Sequence, residues 1–130
     1  MSAKIVVSWS PDDFGRTAIE HAVSEARLRS ASLVVVNATR GDSLVDDHYA
    51  RGSQVEDLRR VLTETAVPFE IRQSMGSDIA DQVLDVAEEV AATLIVVAVH
   101  RRSPVGKLIM GSVAQRVILG ADCPVIAVKP

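Results

Sequence analysis

The chain has 130 residues, sets 14 Lys and Arg against 17 Asp and Glu for a formal net charge of -3, and contains one cysteine, Cys123. That length suits one domain, residues 1–130, able to bury roughly two thirds of its unfolded surface without a covalent staple. A lone cysteine excludes an intramolecular disulfide framework and points to a reducing, cytoplasmic setting. The faintly acidic balance argues against a nucleic-acid binder, which carries a basic stripe and stacking aromatics.

The N-terminus, Met1-Ser2-Ala3-Lys4, runs straight into a strand-like stretch, without the charged, apolar and cleavage regions of a signal peptide. No apolar run approaches the roughly 18 residues of a membrane helix. The first strand is predicted over Ile5–Trp9. Asp12 and Asp13 then suit a helix N-terminus, where carboxylates are favourable, although the pair could also hold a cation beside a nucleotide. Ala18, Ile19, Ala22, Val23 and Ala26 recur at helical spacing, forming an apolar stripe on a polar helix. A second strand follows over Leu33–Asn37.

The stretch from Thr39 to Gly52 holds Gly41, Asp42, Asp46 and Asp47 without periodicity and reads as a surface loop. Val55, Leu58 and Leu62 mark a second helix, with Ser53 and Glu56 spaced as a capping box. A third strand is predicted over Phe69–Arg72. Ile79, Val83, Val86, Ala87 and Val90 mark the third helix, and Leu94–Ala98 the fourth strand. A last helix should start near Ser112 and bury Val113, Val117 and Ile118. Gly120 lies near its end, where a left-handed residue is often needed. Val125–Val128 closes the chain as a fifth strand.

Several of these strands are continuous Val and Ile runs, as in strands buried on both faces. Strands alternating with helices imply a parallel sheet with right-handed crossovers. Ligands of such sheets bind beyond the carboxyl ends of the strands, where the strand order reverses. Ser8–Gly15, Asn37–Arg40 and Val99–Ser112 would meet there. The last of these carries Arg101, Arg102 and Lys107 and ends in Gly111-Ser112 at a helix start. Free backbone N–H groups, a positive dipole end and a hydroxyl make an anion or phosphate site there. The same residues also fit a solvated loop face ending in an ordinary cap.

Other residues offer less chemistry. His100 could contact a phosphate or act as an acid–base group, but has no carboxylate beside it in the sequence to orient it. His21 and His48 read as solvated, and no His or Cys spacing suggests a metal site. Cys123, just before a Pro-Val strand, fits a buried small hydrophobe better than a redox thiol. The indole of Trp9 could stack on a base, though packing suits it better.

The segment Leu94–Val128 resembles the C-terminal half of the universal stress protein family. His100, Arg102 and Ser103 fit that family's His-Gly-Arg-Ser stretch. Gly111-Ser112 matches the end of its phosphate loop, which runs Gly, two residues, Gly, nine residues, Gly-Ser. Ser112-Val-Ala-Gln-Arg-Val117 is similar to the helix that follows, and Cys123-Pro-Val-Ile-Ala-Val128 to its closing strand. Ile5–Ala18 and Asp78–Ala92 match more loosely.

The resemblance implies a three-layer α/β/α fold around a five-stranded parallel sheet in the order 3-2-1-4-5. It also implies an adenine-nucleotide crevice. Ser8 and Ser10 would come from the first strand end, Ala38 from the second, and Val97 and Ala98 from the fourth. His100, Arg101, Arg102, Gly111, Ser112 and Val113 would complete it. The two earlier glycines of the phosphate loop fall at Ala98 and Arg101, and the family's acidic residue after the first strand falls at Ser10. At Arg101 a side chain replaces bare backbone, and a positive φ there would add about 1 kcal/mol of strain. Two outcomes stand open: ATP or another adenine nucleotide binds with Arg101 and Arg102 as charge-assisted donors, or the crevice is occluded.

The last strand is an apolar sheet edge, a liability if left open, and in the family it pairs with its own copy. The resemblance therefore implies a homodimer through Cys123, Pro124, Val125, Ile126, Ala127 and Val128. The expected role is a regulatory or adaptor one in stress adaptation, with weakened or lost ATP binding, no catalytic residue, no membrane or nucleic-acid partner and no certain cofactor.

Overall fold

The computed structural model describes residues 3–40, 49–76, 78–99 and 111–130. Their elements run β1 (Lys4–Ser8), α1 (Asp13–Arg29), β2 (Ser32–Thr39), α2 (Gly52–Thr65), β3 (Phe69–Met75), α3 (Ile79–Glu89), β4 (Leu94–Ala98), α4 (Ser112–Gly120) and β5 (Val125–Val128). The sheet is parallel throughout, in the order β3-β2-β1-β4-β5, as expected.

The lack of alternation in the central strands has a direct cause. Ile5, Val7, Leu33, Val35, Leu94 and Val96 pack on one face with α1 and α2. Val6, Val34, Val36 and Ile95 pack on the other with α3 and α4. Both faces are dry, so the middle positions of these strands are apolar whichever way they point. Burying one such side chain contributes about 1.5–3 kcal/mol relative to leaving it in water.

The helical stripes sit where periodicity places them: Ala18, Ile19, Ala22, Val23 and Ala26 are all buried, as are Leu58, Leu62, Val83 and Ala87. In α4 the buried pair is Ala114 and Val117, whereas Ile118, expected inside, is exposed. The strand interiors match, but β2 runs on through Ala38 and Thr39 and β3 through Gln73, Ser74 and Met75. The ladder, not hydrophobicity, sustains those polar tips. Thr39 thus belongs to a strand and is fully buried, and Ala50 is buried too, so the ends of the predicted surface loop are core; positions 41–48 lie outside the described residues.

The caps depart from expectation twice. Asp12 caps α1 as its charge suggests, its Oδ1 accepting the Gly15 N–H at 3.0 Å. For α2 the cap is Arg51, with Gln54 Oε1 accepting the Arg51 N–H at 2.7 Å, rather than the predicted Ser53 and Glu56. Gly120 is not a left-handed stop: it lies within α4, where a Cβ would stand 2.8 Å from Leu84 Cδ1. Its bareness lets α4 lean on α3. Among the described residues the left-handed positions are instead Ser30, Ala66 and Ala91, none of them glycine.

Candidate functional site

At the carboxyl ends of β1, β2 and β4 the described residues leave a crevice of about 290 Å³. This is the topological switch point, since the chain winds outward from β1 to β3 and then returns to β4 on the other side. Of the residues named from the sequence, Ser8, Ser10, Ala38, Val97, Ala98 and Val113 line it. Trp9, Asp12, Phe14 and Gly15, all within the segment Ser8–Gly15 expected at this end of the sheet, line it too, and so does Ile79, which sequence reasoning did not place there. Ile79 had been absorbed into a helical stripe.

The β1–α1 turn forms this wall by folding tightly back on α1. A Cβ on Gly15 would lie 1.7 Å from the Ser10 carbonyl oxygen and 2.7 Å from Trp9 Cδ1. Only glycine admits that approach. The Trp9 N–H donates to Val36 O at 2.9 Å, holding the turn to β2 beyond the end of β1. Ser10 Oγ donates to Asp12 Oδ1 at 2.8 Å.

A buried amide locks the neighbouring strand tips. Asn37 is 1% exposed. Its Nδ2 donates to Trp9 O at 3.0 Å, and its Oδ1 accepts from Ala50 N at 2.8 Å and Gln73 Nε2 at 3.2 Å. Gln73 Nε2 also donates to Ala50 O at 2.9 Å. Breaking one such bond while leaving its partner buried costs about 1–3 kcal/mol. The tips of β1, β2 and β3 and the approach to α2 are therefore tied at one point. Nearby, Gly76 N and Gln82 Nε2 both donate to Thr39 O, at 3.0 and 2.8 Å.

Beside the crevice lies a smaller recess of about 210 Å³ lined by Arg40, Asp78, Ser112, Val113 and Arg116, among others. Gly111 is the N-cap of α4 with φ -59 and no side-chain cap bond. Ser112, expected in the crevice, lines this recess instead. Arg116 is spent on Asp78 and Asp81, so it braces α4 against the N-terminus of α3. His100, Arg101 and Arg102 lie outside the described residues, as does His48. His21 is exposed on α1. Among the described residues no group of three or more His, Cys, Asp or Glu could hold a metal.

Cys123 is half-buried against the α3–α4 core. Burial, and secondarily the charge of Asp122, pushes its thiol pKa up, which disfavours the nucleophilic thiolate. β5 has β4 as its one neighbour in the sheet. Val125 and Ile126 are half-buried and Ala127 is exposed. No helix among the described residues is long and apolar enough to cross a membrane.

This winding, with its crevice at the switch point, defines a Rossmann-like α/β protein. The model of the universal stress protein family matches residues 1–129, and the chain belongs to that family. A universal stress protein of Mycolicibacterium smegmatis is 48% identical over 126 residues, covering 97% of each chain. Among solved structures, a universal stress protein from Archaeoglobus fulgidus superposes with a TM-score of 0.84 at 32% identity, covering 98% of both chains. Another structure of a universal stress protein from that organism, solved in complex with dAMP, has a TM-score of 0.73 at 25% identity and covers 98% of this chain and 97% of its own.

Proposed function

We propose that this protein is a dimeric regulatory or adaptor protein of the stress response, a single domain whose crevice takes the nucleoside end of an adenine nucleotide while its grip on a triphosphate is weakened. The observation that carries the reading is the crevice itself. It opens at the switch point, is walled mainly by Trp9, Phe14, Ile79, Val97 and Val113, and lies beside the N-terminus of α4. Its volume and apolar walls suit a flat heteroaromatic ring, and the adjoining helix end suits a phosphate. The dAMP complex of the A. fulgidus relative supports this choice of ligand.

The weakening rests on the sequence. Arg101 stands where the family's phosphate loop has a bare glycine, so the triphosphate meets a side chain rather than backbone N–H groups. The mechanism is conformational: ligand in the crevice changes a surface offered to a partner, in the cytoplasm, without turnover. A second copy covers β5, whose apolar residues otherwise leave an open edge.

Isothermal titration with AMP, ADP and ATP tests the crevice. The expected result is AMP binding within about tenfold of ATP, with Arg101→Gly tightening ATP and leaving AMP unchanged. Absence of heat with all three nucleotides would reject ligand binding and leave a nucleotide-independent dimeric interaction protein. Sedimentation at tens of micromolar tests the dimer, which a monomer would refute.

A further inference from the structure

The two helical faces of the sheet are closed differently. On one, α3 and α4 lock together, with Arg116 paired to Asp78 and Asp81 and Gly120 close against Leu84. On the other, α1 and α2 are tied near their carboxyl ends, where Arg27 Nη2 donates to Thr65 O at 3.1 Å. Toward their N-termini a groove of about 380 Å³ lies between them, larger than the crevice. The β1–α1 turn stands between groove and crevice, and Trp9 lines both.

The floor of the groove is apolar. Trp9, Ile19 and Leu58 are nearly buried in it, and Val61 of α2 stands at its edge, half exposed. Such a volume falls within the range of small-molecule pockets, roughly 300–1,000 Å³, and the floor offers a ligand the apolar burial that drives binding. The rim is charged and unbalanced. Among the described residues the lining holds three carboxylates, Asp12, Asp13 and Asp57, against one guanidinium, Arg16. Arg16 is already held by Asp13 at 2.9 Å. Asp57 pairs with Arg60 at 2.8 Å, but Arg60 is not part of the lining, and both side chains are about two thirds exposed. An ion pair so exposed is weak, and it yields its carboxylate readily to a cation lying in the groove. An anion there would face the surplus of carboxylates instead.

We propose that the groove between α1 and α2 is a second ligand site, which takes a small organic cation with its apolar body on Trp9, Ile19 and Leu58 and its ammonium beside Asp57. The inference stands apart from the nucleotide reading, since neither Asp57 nor Val61 lines the crevice.

Three matched probes test it: phenylbutylammonium, phenylbutanol and phenylpentanoate, each with its ring and its polar group at opposite ends of one chain. Trp9 is the single tryptophan, so its fluorescence reports the titration of the full chain with each. The ammonium should saturate, the alcohol should bind about fivefold or more weaker, and the carboxylate weaker still. Val61→Gln should weaken the ammonium and the alcohol alike, by about fivefold. Asp57→Asn should weaken the ammonium by about threefold and leave the alcohol unchanged. Both positions are at least half exposed, so each variant should keep the circular dichroism and melting of the parent. Equal binding of the three probes, or no saturable binding of the ammonium, overturns the assignment. So does ammonium binding that both variants leave intact, which would place the probe elsewhere. A parent dimer that Val61→Gln dissociates in sedimentation would mean that a second copy, not a small cation, covers the groove, and would overturn it too.

Discussion

Along the outer edge of β3 the Arg72 guanidinium is shared between Glu70 of the same strand and Glu89 of α3, whereas β5, at the other edge, carries only Val125, Ile126, Ala127 and Val128. The first edge is charged and clasped to a helix. Another strand pairing there would have to strip water from those ions. The second edge places no charge within the strand. The difference teaches which side of the sheet this chain can leave open, and it directs the proposed second copy to β5.

The largest expected effect breaks the apolar edge. A lysine at the exposed position 127 would enter a two-fold strand pairing twice. Ala127→Lys should weaken self-association by about a hundredfold or more, roughly 3 kcal/mol, with an unchanged circular dichroism spectrum. Sedimentation equilibrium measures it; unchanged association would remove β5 from the interface.

A smaller effect tests what supports that edge from behind. Gly120→Ala places a Cβ 2.8 Å from Leu84 Cδ1 and should cost about 1–2 kcal/mol in urea unfolding. Adding Leu84→Ala should relieve part of that cost. Strictly additive losses would mean that the two side chains do not meet.

The charged edge should respond to pH. The hydrogen bond from Arg72 holds the Glu70 carboxyl below its usual pKa; burial works the other way, and the charges of Arg72 and Lys4 add to the lowering. A depressed folded-state value adds stability above the unfolded pKa, and that stability is lost as pH falls through the folded value. Glu70 and Glu89 are about half and two thirds exposed, so solvent screening keeps the whole clasp near 1 kcal/mol by order of magnitude. Arg72→Leu should therefore be less stable at neutral pH, and the deficit should shrink from roughly pH 5 downward. The variant should also self-associate more readily. A deficit constant across that range would show that the pairs contribute nothing and that Arg72 acts through packing alone.

The smallest effect concerns the entry to β3. Ala66 ends α2 at φ 63, a conformation that costs a non-glycine residue about 1 kcal/mol. Ala66→Gly should raise stability by up to that amount, less the added freedom of the unfolded chain. A loss on thermal melting would mean that the methyl group contributes packing worth more than the strain.

Much of the fold was legible because its signals are local. Runs such as Ile5-Val6-Val7 and Leu94-Ile95-Val96 announce strands buried on both faces, and the stripes of α1 and α3 announce helices lying on them. The strand tips were not legible. Gln73, Ser74 and Met75 have no apolar pattern and are strand because they pair with Asn37, Ala38 and Thr39. Of the candidate site, the three converging segments could be read from the chain, since the carboxyl ends of parallel strands lie together in any such sheet. Asp12 reads from the chain chiefly as a helix cap; its place on the crevice wall depends on how the β1–α1 turn folds back.

Sequence alone settled the order of elements, the parallel winding, the two-faced core and the family, because periodicity and motif spacing are properties of neighbouring residues. Tertiary structure alone decided which distant groups meet: Asn37 with Ala50, Gly120 with Leu84 and Arg116 with Asp78. Such meetings are set by the distance and angle at which rigid elements dock. Those depend on the summed packing of the whole core, which no local pattern records.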